Sequence, residues 1–188
     1  MSEILNSLTT ITEDQQNRAV IFRDLGLIDY KEAWDYQEKL FQEVIDRKVN
    51  NRKLPVEEQE SPKHYLLFCE HPHVFTLGRS GDEANLVIKE NDLPSVQATF
   101  YKNNRGGDIT YHGPGQRVAY VMMDLQRRGA DLRRYICDLE EWMILTLKNF
   151  GIKGERRAGR VGIWIAQNGT ENKIAAVGVR VRKWVTYH

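Results

Sequence analysis

Residues 105–117 read RGGDITYHGPGQR, and four glycines, one proline and one histidine within thirteen residues exclude both a plain strand and a helix there. Gly106 and Gly107 open backbone angles that other residues avoid, and they let a ligand approach the main chain closely. Gly113-Pro114-Gly115 is a stiff turn that fixes where His112 points. An imidazole in that position donates, accepts or shuttles a proton near neutral pH. A glycine-rich hairpin without a site is the plain alternative. The joint occurrence of Arg105, Gly-Gly, His112 and Gly-Pro-Gly favours a binding loop. It lacks the Gly-Lys-Ser/Thr ending of a phosphate loop and does not match G-x-G-x-x-G.

Around this segment the chain reads as strands with two helices. Residues 1–16 are polar and unpatterned, a loose leader. Residues 18–28 read as a strand, and Asp29 with Glu32 three residues on has capping-box spacing. Ala33, Trp34, Leu40, Phe41, Val44 and Ile45 then recur at helical spacing over 30–49. The polar, proline-bearing stretch 50–63 is a surface loop. Further strands are expected at 64–71, 74–78, 95–101 and 116–125. Asp131 caps a second helix whose stripe is Leu132, Tyr135, Ile136, Leu139, Trp142, Met143 and Ile144, with Gly151 just past its end. Strands at 161–167 and 172–187 are joined by Asn168-Gly169, a hairpin turn signal. Two helices among many strands, without regular alternation, predict an α+β fold with a mixed or mainly antiparallel sheet.

The 188 residues are enough for one domain with a real core. Lys and Arg number 27 against 26 Asp and Glu, a net charge of +1. That balance excludes the domain-wide basic footprint of nucleic-acid binders. No apolar run reaches the roughly 18 residues of a membrane span, and the N-terminus has no secretory pattern. Two cysteines, Cys69 and Cys137, are too few for a disulfide framework and suggest a reducing, cytoplasmic setting. The last residues, Thr186-Tyr187-His188, follow strand pattern without a turn or a polar tail, so a further C-terminal part is expected.

Three other features bear on chemistry. Read as one strand over 173–181, Lys173 shares parity with Ala175, Val177, Val179 and Val181, at the start of an apolar face. A lysine there is either buried, with its basicity altered, or snorkelling to water beside the turn. Cys69, His71 and His73 alternate, but no second ligand pair stands at zinc spacing and Pro72 breaks the strand, so no metal is expected. Cys69 reads as a core residue and Cys137, beside the second helix's stripe, as inert. The pairs Arg127-Arg128, Arg133-Arg134 and Arg156-Arg157 read as solvated surface. Arg180, Arg182 and Lys183 read the same way, with docking of an acidic partner as the alternative.

EHPHVFTLGR at 70–79, RGGDITYHGPGQ at 105–116, GRVGIWI at 159–165 and NKIAAVGVRVRKWVTYH at 172–188, in this order, resemble the bacterial octanoyltransferase family of lipoate biosynthesis. The resemblance implies a biotin/lipoate ligase type of catalytic domain, a mixed sheet flanked by helices, spanning 1–188. Members move octanoyl from the thioester of acyl carrier protein to a lysine on lipoyl domains of 2-oxoacid dehydrogenases or the glycine-cleavage H protein. The route is a cysteine thioester, with no ATP and no metal. The family's acyl-binding loop falls on Arg105, Gly106, Gly107, Asp108, Ile109, Thr110, Tyr111 and His112. A second binding segment falls on Ala176, Val177 and Gly178, and the catalytic lysine on Lys173. The family's nucleophile sits in a Pro-Cys-Gly context that neither Cys69 nor Cys137 has, and it is expected beyond residue 188. Two other readings remain open: a non-catalytic acyl- or lipoyl-domain-binding module, and an ATP-dependent lipoate or biotin ligase, which needs no cysteine.

Overall fold

The computed structural model describes residues 19–126, 129–167 and 169–188. They divide into two compact units: residues up to Asp124 together with Arg180–His188, and Leu125–Val179.

The first unit begins with β1 (Val20–Leu27) and α1 (Tyr30–Asn51). Asp29 caps α1 as its spacing predicts, its carboxylate accepting from the backbone N–H groups of Lys31 (2.8 Å) and Glu32 (3.3 Å). β2 (His64–Glu70) pairs parallel with β1 and antiparallel with β6 (Val118–Met122). The helix lays Ala33, Leu40, Phe41, Val44 and Ile45 onto Tyr65, Leu67, Cys69 and Met122 of this sheet. The larger of these, Leu40, Phe41, Val44 and Ile45, each contribute roughly 1.5–3 kcal/mol by leaving water. β3 (Val74–Leu77) is the centre of a second mixed sheet, parallel to β4 (Thr99–Lys102) and antiparallel to β5 (Ile109–His112). The strand expected over 95–101 is therefore half as long. Glu90–Val96, with Pro94 inside, is a 3-10 run, and Gln97 turns the chain in the left-handed region at φ 54° before β4 starts.

β10 (Arg180–Arg182) and β11 (Val185–Tyr187) complete this unit as a tight antiparallel pair. Their turn places Lys183 and Trp184 at φ 51° and 64°, uncommon for side-chain-bearing residues. It is held by the buried Lys48 ammonium, 2.7 Å from both the Lys183 carbonyl and the Asp124 carboxylate. The continuous strand read over 172–187 is thus interrupted.

The second unit carries α2 (Leu132–Asn149), β7 (Glu155–Arg157), β8 (Arg160–Gln167) and β9 (Thr170–Ala175), the three strands forming one antiparallel sheet. Asp131 caps α2 through the Arg134 N–H (3.0 Å), and Gly151 follows the helix at φ 73°, as expected. The stripe is corrected. Leu132 and Trp142 are more than a third exposed, while Tyr135 and the carboxylate-bearing Glu140 are buried. Glu140 is tolerated because its oxygens accept from the Gly162 N–H (2.9 Å) and from Arg156 Nε (3.2 Å). Cys137 is exposed rather than set against a core. Arg156 and Arg157 are not merely solvated: they bind Glu140, Glu141, Glu155 and Glu171. The Lys153 and Arg157 side chains hold the Glu155 carboxyl down to about 2. Gly169 turns the β8–β9 hairpin at φ 77°; Asn168, Arg127, Arg128 and the leader lie outside the described residues.

Candidate active site

Alternation along β3, β4 and β5 decides where the glycine-rich loop delivers its side chains. In register, Val74 faces His112, Thr76 faces Thr110 and Tyr101, and Phe75 faces Tyr111. Thr110 and His112 therefore share a face with Thr76 and Tyr101, while Ile109 and Tyr111 point to the reverse side. There they line a groove of about 880 Å3 with Phe75, Val96 and Ala98. Tyr111 is tied at that rim, its hydroxyl 2.5 Å from His73 Nδ1. The loop is strand only over Ile109–His112, in keeping with the exclusion of a plain strand across the thirteen residues. A thirteen-residue segment accommodates this because its glycines cluster at the two ends of ITYH.

Arg105 is folded inward, only 9 % exposed. Its Nη2 donates to both the carbonyl and the hydroxyl oxygen of the fully buried Thr76, each at 2.8 Å, and Nη1 donates to the Gly106 carbonyl at 3.0 Å. Gly107 takes φ 92°. Its carbonyl would lie 2.3 Å from a Cβ built on Gly78, so the glycine of the TLGR segment is what permits the loop to close. Asp108 accepts from the Asp82 N–H (3.1 Å) and Asn85 Nδ2 (2.5 Å), which anchors the loop's middle to the 82–85 turn.

The His112 ring lies in an aromatic and imidazole cluster. Tyr30 stacks on it at 6.3 Å and 17°, and His71 meets it edge-on at 5.9 Å. Burial first, then the neighbouring His71 and Arg105, push the His112 imidazole down to about 4. At neutral pH it is a neutral hydrogen-bonding group. His71 Nδ1 donates to the Ile28 carbonyl (2.8 Å), so its Nε2 accepts from the Tyr120 hydroxyl (2.8 Å). Burial likewise lowers His71 and pushes the Cys69 thiol up to about 12. Cys69 is fully buried, its Sγ 3.5 Å from His71 Nε2, as its core reading predicts. His188 belongs to this unit as well, its imidazole pushed down to about 3 by burial, Arg180 and Arg105.

Lys173 lies in the second unit on β9, directly opposite Trp164 of β8. It is exposed, which decides between the two alternatives in favour of the one that reaches water. The strand that lent it apolar same-parity neighbours ends at Ala175, so Val177, Val179 and Val181 do not continue its face. Its Nζ stands 5.0 Å above the Trp164 ring, within cation–π range. Gly162 makes the room: at φ 116°, a Cβ there would fall 2.5 Å from the Ala175 carbonyl and 3.4 Å from Lys173 Cε. Ala176, Val177 and Gly178 form the irregular segment after β9. Tyr30, Thr76, Asn103, Gly162 and Trp164 were not singled out by sequence. Of these, Trp164 was readable, because a two-residue Asn-Gly turn sets Gln167 against Thr170 and, by counting back, Trp164 against Lys173.

Residues 29–188 match the family described as the lipoyl protein ligase A/B catalytic domain. The chain is 53 % identical over 175 residues to an octanoyltransferase of Christiangramia forsetii, covering 92 % of this chain and 73 % of that protein. It is 49 % identical over 174 residues to an octanoyltransferase of Cytophaga hutchinsonii, covering 92 % and 71 %. Among solved structures, a bi-partite lipoate protein ligase from Thermoplasma acidophilum superposes with a TM-score of 0.55 at 16 % identity, over 90 % of this chain and 60 % of that one.

Proposed function

The chain belongs to the lipoyl protein ligase A/B catalytic-domain family and is an acyltransferase of it, and from that premise we propose that it carries octanoyl from acyl carrier protein to a lipoyl-domain lysine. The similarity to octanoyltransferases over most of the chain is the observation that carries this reading. By the family's pattern, acyl-binding residues are Arg105–His112 in the first unit and, separately, Ala176–Gly178 in the second. Acceptor domains are those of 2-oxoacid dehydrogenases and the glycine-cleavage H protein, and the reaction runs in the cytoplasm.

A cysteine thiolate attacks the carrier's thioester carbonyl. The bond from that carbon to the carrier sulfur breaks, and the leaving thiolate takes a proton from the Lys173 ammonium. The acceptor's neutral lysine amine then attacks the enzyme thioester. It gives its proton to Lys173, and the cysteine leaves as thiolate. The thioester already carries the activation, so no adenylation step is required. His112, neutral at working pH, positions the acyl carbonyl or the attacking amine by hydrogen bonding rather than by charge.

Neither cysteine among the 188 residues takes the nucleophile's role. Cys69 is buried with its thiol raised to about 12, so thiolate is scarce where it stands. Cys137 sits on α2 without the family's Pro-Cys-Gly context. We place the nucleophile in the part of the relatives' length that the match does not span. Mixing the complete gene product with octanoyl-acyl carrier protein and reading intact mass tests this. A hydroxylamine-labile octanoyl adduct, lost in Lys173→Ala, is the expected result. Binding of carrier protein without an adduct identifies a non-catalytic module instead.

A further inference from the structure

The two ends of the glycine-rich loop are held from one place. Tyr30, the first residue of α1, is 4 % exposed. Its hydroxyl accepts from Asn103 Nδ2 at 2.7 Å, and the same Asn103 side chain accepts the Arg105 backbone N–H on its Oδ1 at 3.3 Å. Asn103 is itself fixed, 8 % exposed, with its N–H on the Leu77 carbonyl at 2.9 Å. The ring of Tyr30 stacks on His112, seven residues beyond Arg105, and meets Tyr101 at 5.2 Å and His71 at 5.3 Å. One phenol thus reaches the loop's first residue by its oxygen, through Asn103, and its last by its face. Gly106 and Gly107 lie between and have little side chain of their own to fix them. A loop of that composition keeps one conformation only if both ends are set.

We propose that Tyr30 and Asn103 are positioning residues for octanoyl transfer, setting the register of the Arg105–His112 loop on which the acyl group lies. They touch no reacting atom in this account. Asn103 acts on the Arg105 end through an amide bridge, and Tyr30 acts on the His112 end through ring stacking. The ligand part of this inference rests on the octanoyl-transfer reading, whereas the loop geometry stands without it.

The test separates the two contacts. Tyr30→Phe keeps the ring and removes the hydroxyl. Tyr30→Leu removes the stack, and Asn103→Ala removes the bridge from the other side. In the ligand-free protein, hydrogen exchange at the Arg105 amide should rise roughly fivefold in Asn103→Ala, which removes its acceptor, since one hydrogen bond of this kind contributes about 1 kcal/mol. The rise should be smaller in Tyr30→Phe, which leaves the acceptor but releases the amide that carries it. The double variant should match Asn103→Ala alone, because without the Asn103 side chain the Tyr30 hydroxyl has no route to the Arg105 end. His112 ring titration, followed by NMR, should stay in place in Tyr30→Phe and move up toward an exposed imidazole in Tyr30→Leu. Affinity for the amide analogue of octanoyl-pantetheine should fall roughly tenfold in all three variants. Unchanged exchange and unchanged His112 titration across the set overturns the positioning role, and additive effects in the double variant overturn the shared bridge. Failure of the wild-type protein to bind the analogue sinks the octanoyl reading instead, and the exchange and titration results then still decide the loop claim.

Discussion

Arg105 and Thr76 are joined twice, one guanidinium nitrogen donating at 2.8 Å to both the carbonyl and the hydroxyl oxygen of the threonine. This makes the arginine that leads the loop a brace between the β3 backbone and the Gly106 carbonyl as well as a candidate ligand contact. A lysine is a point charge and cannot reproduce a fork of donors. Arg105→Lys should lower stability by about 2 kcal/mol, the scale of a lost charge-assisted bond, and weaken binding of the amide analogue. Urea unfolding checks the first and calorimetry the second, and wild-type values in both would remove the brace from the account.

Gly162 is predicted to matter through the β8–β9 backbone that carries Lys173, since a Cβ there falls 2.5 Å from the Ala175 carbonyl while Lys173 Cε lies at an ordinary 3.4 Å. A methyl there meets the Ala175 carbonyl and the Lys173 side chain, in a backbone conformation that already disfavours it. Gly162→Ala should cut octanoyl transfer by about tenfold or more, approaching the Lys173→Ala loss. Gly159→Ala, at φ 72° with open space around its Cβ, should cost about 1 kcal/mol of stability and leave transfer intact. Equal rates in the two alanine variants would contradict the link to Lys173.

Acid should destabilise the protein through its buried imidazoles. His112 titrates near 4 when folded and near 6.5 when unfolded, so the native state resists a proton that the unfolded chain accepts. Stability is therefore level above pH 6.5, falls as pH drops from 6.5 toward 4, and stops falling from this cause below it. The loss from His112 alone is roughly 3 kcal/mol at most. His188 acts in the same direction, down to about 3, and the lowered His71 adds to it. Urea midpoints at about pH 7 and about pH 4.5 should differ less in His112→Asn than in the wild type. An identical difference would mean that His112 is not held neutral by burial.

Thiol labelling discriminates the two cysteines. Cys137 is exposed and should react with iodoacetamide in the folded protein, while Cys69, buried and raised to about 12, should react only after unfolding. Cys69→Ala should leave octanoyl transfer unchanged and lower stability by about 1 kcal/mol through the space it leaves. Loss of transfer in that variant would overturn the placement of the nucleophile elsewhere.

What sequence made legible was local. Asp29, Asp131, Gly151 and the Asn-Gly turn announce themselves because a side chain, or its absence, acts on backbone within four residues. The alternation of ITYH was hidden by the glycines around it, although period two over those four residues is what sorts His112 from Tyr111. The turn at Lys183 and Trp184 was not legible, since its Lys183 carbonyl is held by Lys48, 135 residues away in the chain. The partners of Arg156 are likewise set by tertiary contact: a residue that reads as solvated surface pairs, with its own side chain still partly exposed, to the buried Glu140 carboxylate. Nothing local in the sequence marks Tyr30, because its stack on His112 joins residues far apart in the chain.

The central claim is acyl transfer from a carrier thioester without adenylation. The direct measurement combines the complete gene product, octanoyl-acyl carrier protein and an unmodified lipoyl domain, without ATP, and follows the lipoyl domain by intact mass. One octanoyl amide on the domain's lysine is expected, formed without ATP and lost in Lys173→Ala. Modification that requires ATP and free octanoate would contradict it.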